Sequence, residues 1–358
     1  MSKRCKNFTY MNKSASELNL ITVDFNNDDK IPMALKRTIV KGETNRYRLK
    51  ANHLYATYDD SLEFEIHITK DVCKIQDQSA LEFSRDEVRE VTKWLTSSSI
   101  PSPMYIEESD SINVFYCGIF SNIEAFSVGG KVYGFIVTFT NDSAFAYSDE
   151  IVKKQSVAGY TTALIDNQSD LLDDYCYPVI KLTPKVKSDF ILCNLSDSVI
   201  LKEGSFSISG DSATKLNNFL DKINTFAMEH SYTVKYYYNG SFCKTWANDT
   251  AIRIKLIEND TTEHYCFAFY DTSGKYKIIE GGFTTIKLLK DLSITINCSL
   301  LTMYDDIKRM ILFSDIGIDD EDYIYWLRLK NGLNDLILFA DNCDVSITYR
   351  EMLKVGAV

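Results

Sequence analysis

The residues best equipped for chemistry are few and scattered. The 358-residue chain holds four histidines, His53, His67, His230 and His264. No two stand at the spacing of a helical metal site. His67 falls in Phe64-Glu65-Ile66-His67-Ile68, where alternation assigns it to the outward face of a strand. There is no phosphate-cradling glycine loop and no nucleophile elbow. Gly129-Gly130 and Gly281-Gly282 lie between strand-like runs and read as turns. Asp319-Asp320-Glu321-Asp322 lacks the spacing and central glycine of a calcium loop and reads as a solvated loop. The nine cysteines contain no CxxC pair, as expected of reduced, mostly buried thiols in a protein made in a cytoplasm. No catalytic, cofactor-binding or metal-ligating residue is therefore assigned, and the expectation is a structural or binding protein rather than an enzyme.

Two clusters point to binding. Tyr232, Tyr236, Tyr237, Tyr238, Phe242 and Trp246 form a dense aromatic run. Flat rings stack on sugar faces, so Tyr236, Tyr238 and Trp246 are the candidate carbohydrate contacts. The competing reading makes alternate rings core. The second cluster is basic: Lys30, Lys36, Arg37, Lys41, Arg46, Arg48 and Lys50 crowd residues 28–50, which have weak apolar periodicity. A stretch this long reads as a projecting arm. Arg37, Lys41, Arg46 and Arg48 are its candidate contacts with a neighbouring, acidic protomer.

The charge balance limits the partners. Lys plus Arg is 39 and Asp plus Glu is 50, a net charge of −11. A general nucleic-acid binder needs a basic face to release counterions, so specific nucleic-acid binding is not expected. The first ten residues lack the apolar region of a secretory signal, and no apolar run is long enough to span a bilayer.

The elements that must position these residues are mostly strands. Leu18 to Val23, Leu62 to Ile68, Met104 to Ile106, Ile112 to Ile123 and Lys131 to Phe139 read as strands, the last two joined at Gly129-Gly130. Between them Ser84 and Glu87 form a capping box, and Val88, Val91 and Leu95 supply an apolar stripe. The spacing predicts a helix that ends before Pro101. Further on, Leu216, Phe219, Leu220, Ile223 and Ala227 predict a second helix. Tyr232 to Lys244 reads as a hairpin about Asn239-Gly240, followed by strands at Ile252 to Leu256 and Tyr265 to Tyr270. Trp326 to Leu338 reads as strand, Asn-Gly turn, strand, with a last strand at Val345 to Tyr349.

Several of these pieces recur in one known order. They are Phe8-Thr9-Tyr10, Leu18-Asn19-Leu20 and Leu62-Glu63-Phe64-Glu65-Ile66, then the helix Phe83-Ser84-Arg85-Asp86-Glu87-Val88-Arg89-Glu90 closing on Trp94-Leu95-Thr96-Ser97. Thr138-Phe139-Thr140-Asn141-Asp142-Ser143-Ala144-Phe145-Ala146-Tyr147-Ser148 completes the set. Together they resemble the N-terminal domain of the siphophage distal tail protein, Dit. Tyr177-Pro178-Val179-Ile180-Lys181-Leu182 and Phe190-Ile191-Leu192-Cys193-Asn194 resemble the first strands of that family's C-terminal sandwich.

The resemblance implies a mainly β, α+β fold. Residues 1–156 would be a tail-tube-like β-sandwich or barrel with one helix, forming the ring. Residues 157–198 and 291–358 would be a galectin-like β-sandwich, a fold that does not itself imply sugar binding. Residues 199–290 depart from the family pattern and read as an inserted α+β domain. The implied function is a hexameric ring at the distal end of a phage or prophage tail, made in the bacterial host's cytoplasm. The ring would join the tail tube protein to the tail-associated hub protein and anchor receptor-binding components. The insert would touch host cell-wall polysaccharide. The alternative is a monomeric, lectin-like cell-surface protein, which leaves the N-terminal pattern without a use.

Overall fold

The computed structural model describes residues 7–23, 38–41, 54–57, 61–75, 77–107, 114–172, 174–236, 243–246, 249–259, 261–317 and 324–354. It is mainly β, with two α-helices among the described residues, α1 (Arg85–Leu95) and α2 (Ser212–Glu229). The chain divides into one unit of Met1–Asp149 with Glu351–Val358 and a second of Glu150–Arg350.

The first unit is a curled antiparallel sheet around one core. Its path runs Lys13–Ser14, Asn7–Tyr10, Ser102–Glu107, Val114–Val128, Lys131–Asn141, Glu63–Lys70, Leu20–Val23. The strands near its two ends deliver Phe8, Tyr10 and Leu20 to the same core as Ile66, Phe135 and Phe139 from the middle. The Gly129-Gly130 turn forms as expected, with φ of 61° and 78°, the region open to glycine. Helix α1 is capped as the sequence requires. Ser84 Oγ accepts from Glu87 N–H, and the Glu87 carboxylate accepts from Ser84 N–H. Its stripe buries Val91, Trp94 and Leu95. The Trp94 ring stacks on Phe8 at 5.4 Å, and its Nε1–H donates to the Tyr10 carbonyl. His67 sits on the face opposite the core residues Ile66 and Ile68, as alternation requires, but is buried there rather than exposed. Its strand is paired on both edges, by Leu20–Val23 and Lys131–Asn141, and Ile66, His67 and Ile68 are all shielded.

The second unit is layered. Its main sheet runs Phe283–Leu288, Ser188–Asn194, Gly332–Tyr349, Val179–Pro184, Ile294–Asn297, Thr302–Asp305, with Ile151–Asn167 along the long strand. Gly332–Tyr349 is one continuous strand, where the sequence reading had two. It pairs with Ser188–Asn194 through Leu336–Phe339 and with Val179–Pro184 through Cys343–Thr348. Between these stretches the register against Ile151–Asn167 shifts: Val157 faces Cys343 but Gly159 faces Ala340. That bulge bends the sheet. Phe190, Leu192, Ile180, Leu182, Val345 and Ile347 therefore share one core.

A second sheet runs Val199–Ser205, Lys275–Glu280, Thr262–Tyr270, Asp249–Glu258, Tyr232–Tyr236, with Cys243–Trp246 also on Asp249–Glu258. One face carries α2 over Ile252, Ile254, Leu256, Cys266 and Ile278. The other packs on the main sheet: Ala251, Phe267, Phe269 and Ile279 meet Ile191, Cys193, Ile337 and Phe339. The insert is thus a third layer with a shared core.

Two boundaries read from the sequence differ as a result. Ile151–Asn167 is one sandwich strand, so Ile151 to Ser156 belong to the second unit rather than to 1–156. Phe283–Leu288, read within 199–290, hydrogen-bonds to Ser188–Cys193 in the main sheet. Asn239 and Gly240 of the expected hairpin lie outside the described residues. Tyr232–Tyr236 and Cys243–Trp246 both run antiparallel to Asp249–Glu258 on the same edge, so they run in the same direction and do not pair with each other.

Candidate functional site

The aromatic run of the insert is the first candidate. Asp211 caps α2 by accepting from Thr214 N–H. Phe219, Ile223, Phe226 and Ala227 then face the sheet. Tyr236 packs against this core, and its hydroxyl donates to Asn224 Oδ1 of α2 at 2.6 Å. Its ring therefore joins helix to sheet. Tyr238 and the Trp246 side chain lie outside the described residues. So do Arg37, Arg46, Arg48 and the Lys41 side chain; the Lys41 backbone closes strand Thr38–Lys41, paired with Leu54–Thr57. Among the described residues of the insert, Phe219, Phe267, Phe269, Tyr270 and Tyr276 are buried, and Phe206 is partly buried. Phe206, Phe219, Tyr270 and Tyr276 stack under α2, and Phe267 and Phe269 lie against Phe339.

At the C-terminal end of α2 lies a titratable group. His264 Nδ1 is 2.8 Å from Glu280 Oε1, and Nε2 is 3.7 Å from Glu258 Oε2. The hydrogen bond to Glu280 holds the imidazole above its usual value, opposed by partial burial and helped by both carboxylates' charge. His230, the residue after α2, stacks on Tyr232, which lies beside His264.

The chain enters and leaves the insert through a polar clamp. The Asn194 N–H donates to the Gly282 carbonyl, and Ser198 Oγ donates to the carbonyls of Asn194 and Gly281. Asp197 sits beneath, its side chain 4% exposed. It accepts from Arg328 Nε at 2.6 Å and from the Tyr325 hydroxyl at 2.8 Å, with Lys330 Nζ 3.3 Å away. Burial raises the Asp197 carboxyl, but Arg328, Tyr325 and Lys330 overcome it and hold the group below the usual carboxylate value. Tyr325 is pushed far up by its own burial and by that carboxylate. None of this was visible in the sequence, because Asp197 and Arg328 are separated by 131 positions.

In the first unit the motif Asn141-Asp142-Ser143-Ala144-Phe145 has a structural meaning. Asn141 is 1% exposed. Its Oδ1 accepts from Cys117 N–H at 2.7 Å, and its Nδ2 donates to the carbonyls of Ser143 and Phe145. One amide thus fixes the exit from the sheet. Tyr147 donates to Asp142 and Ser143, and burial pushes its phenol up to about 12. In the same sheet Val114–Val128 pairs with Ser102–Tyr105 as far as Gly118 and with Lys131–Asn141 out to Val128, where Val128 is exposed.

Comparison with known proteins agrees with the reading of the first unit. Residues 3–143 match the family model described as phage tail protein N-terminal domain. No curated protein matches the chain. Among solved structures, the SPP1 Dit protein, titled a paradigm of the hub adsorption apparatus in phages infecting Gram-positive hosts, is 11% identical with a TM-score of 0.49. That match covers 96% of this chain and 98% of that one. The phage P2 baseplate in its activated conformation with Ca gives 9% identity, coverage of 97% and 98%, and a TM-score of 0.34. Over residues 3–143 the chain is similar to the phage tail protein N-terminal domain, in line with the sequence resemblance to Dit.

Proposed function

We propose that the protein is a distal tail protein: six copies form a ring that joins the tail tube to the tail-associated hub. In this reading the sandwich units anchor receptor-binding components. The observation that carries it is the family match over residues 3–143. The residues behind the sequence resemblance support it, because Phe8, Tyr10, Leu20, Ile66, Phe83, Trp94, Leu95 and Phe139 form a single core. Ring closure needs a heterologous contact, one patch on a different patch of the next copy. The far end of strand Val114–Val128, which carries the exposed Val128, provides one patch. The basic stretch at 28–50 provides a second through Arg37, Lys41, Arg46 and Arg48, complementary to a chain of net charge −11.

The protein acts without catalysis in this reading. It is made in the host cytoplasm and assembled into the virion, where DNA passes the ring without being bound specifically. Contact of the insert with wall polysaccharide would fall to Tyr238 and Trp246, since the Tyr236 ring is engaged with α2. The test is gold-labelled antibody against this chain, imaged on intact particles. Label at the distal tip of the tail supports the proposal. Label along the tail shaft, on the head, or absent from particles that contain the chain contradicts it.

A further inference from the structure

The outward face of residues 324–330 is built from rings and cations. Tyr325, Leu327 and Leu329 enter the sandwich core, Trp326 is half-buried against the edge of that core, and alternation turns Arg328 and Lys330 outward. An isolated bridge between Cys176 and Leu329 draws Tyr175 and Tyr177 alongside. The Arg328 guanidinium lies over the Tyr175 ring at 4.2 Å. Tyr175 and Tyr177 have centroids 6.4 Å apart, and Phe313 stands 6.4 Å from Trp326. Tyr177 is 43% exposed and Phe313 42%.

Arg328 is held in place from below. Asp197 takes its Nε and Nη2 edge at 2.6 and 3.4 Å, and this leaves the Nη1 side of the fork turned away from that carboxylate. A clamp on Asp197 would be complete with Tyr325 and one cation. Lys330 is a second, so two cations around one carboxylate leave a local charge of +1. Partly buried and exposed rings beside a fixed guanidinium match a specific ligand chemistry. The C–H face of a pyranose packs on rings. A carboxylate or phosphate takes a charge-assisted, bidentate bond from arginine. Arginine fixed in advance loses less side-chain entropy on binding.

We propose that Tyr175, Tyr177, Trp326 and Arg328 form a shelf that binds an acidic saccharide, its ring on the aromatic faces and its acid on Arg328. This site belongs to the sandwich, not to the insert. It stands independently of the ring reading, because it requires only the folded second unit.

The test uses the full-length chain titrated with three oligosaccharides: an oligogalacturonate, a phosphorylated oligomannoside and a neutral chito-oligosaccharide. Binding is followed by calorimetry and by tryptophan fluorescence, to which Trp326 contributes. The expected result is binding of one or both acidic probes, about tenfold or more tighter than the neutral one, with affinity falling as salt rises. The carboxylate and phosphate arms identify the acid. Tyr177→Ala removes a half-exposed ring, so the fold stays intact; it lowers affinity about tenfold. Arg328→Gln removes the preference for acidic over neutral probes; it also loosens the Asp197 clamp, so a cooperative melt above the assay temperature is the control for folding. The proposal is overturned if no acidic probe binds at millimolar concentration, if the neutral probe binds equally, or if Tyr177→Ala binds as well as the parent. It is also overturned if saccharides fail while a tail-tip protein binds the parent and not Tyr177→Ala, which makes the shelf a protein-docking surface.

Discussion

Phe339→Ala should loosen two sheets at once. Phe339 is fully buried on the long strand Gly332–Tyr349 and faces the insert. Its ring meets Tyr160 at 5.3 Å and Phe267 and Phe269 at 6.0 Å each, all in edge contacts. Truncating a buried Phe to Ala costs about 3–5 kcal/mol, through lost transfer energy and the cavity left behind. In a unit the size of Glu150–Arg350, each kcal/mol lowers Tm by about 2–4 °C, so the melt should fall by about 6–20 °C. Thermal unfolding with amide hydrogen exchange measures both size and place. Protection should fall in Gly332–Tyr349 and also in Thr262–Tyr270, whose Phe267 and Phe269 lose their cover. Leu300→Ala, at a side chain 69% exposed, should change stability by no more than about 0.5 kcal/mol. Protection lost only in Gly332–Tyr349, with Thr262–Tyr270 untouched, would refute the shared core and make the insert an independent domain.

Other perturbations follow from single contacts. Gly282 has φ of +67°, and an added Cβ would lie 2.1 Å from Ser198 Oγ; Gly282→Ala should destabilise the second unit by more than about 1 kcal/mol in a denaturant melt. Leu301 adopts φ of 54° while 56% exposed, so Leu301→Gly should stabilise, by about 0.5–1 kcal/mol in the same assay. His264 has a folded pKa above its unfolded value. The stability it contributes is therefore complete below the unfolded pKa and lost as pH rises through the folded one, a dependence that His264→Gln should flatten in melts taken across neutral to alkaline pH. Asp197 is the opposite case: its folded pKa is depressed, so its contribution holds above the unfolded value and disappears as pH falls through the folded one. Asp197→Asn should flatten acid unfolding and destabilise at neutral pH.

Local rules made the first unit readable. The Ser84–Glu87 capping box, the Val91–Leu95 stripe and the Gly129-Gly130 turn each act within a few residues, and each forms as read. The second unit depends on distant partners. The long strand could not be recognised as continuous, because its bend comes from a bulge against Ile151–Asn167, far away in the chain. Tyr232–Tyr236 and Cys243–Trp246, read as hairpin strands, both take the Asp249–Glu258 edge, which is long enough for the two of them. His67 takes the face away from the core as alternation requires, and side chains of the two flanking strands cover it there. The aromatic run suggested a sugar site in the insert, yet the Tyr236 ring serves helix packing. The rings beside Arg328 come from Tyr175 and Tyr177, brought there by a bridge to Leu329.

The central claim is assembly, and the most direct measurement is the mass and shape of the full-length protein, alone and mixed with the tail tube and hub proteins of the same particle. Light scattering with single-particle electron microscopy reads both. The account predicts six-fold rings, formed alone or on the hub, with the second units projecting from them. A monomer that remains a monomer with both partners present would contradict it.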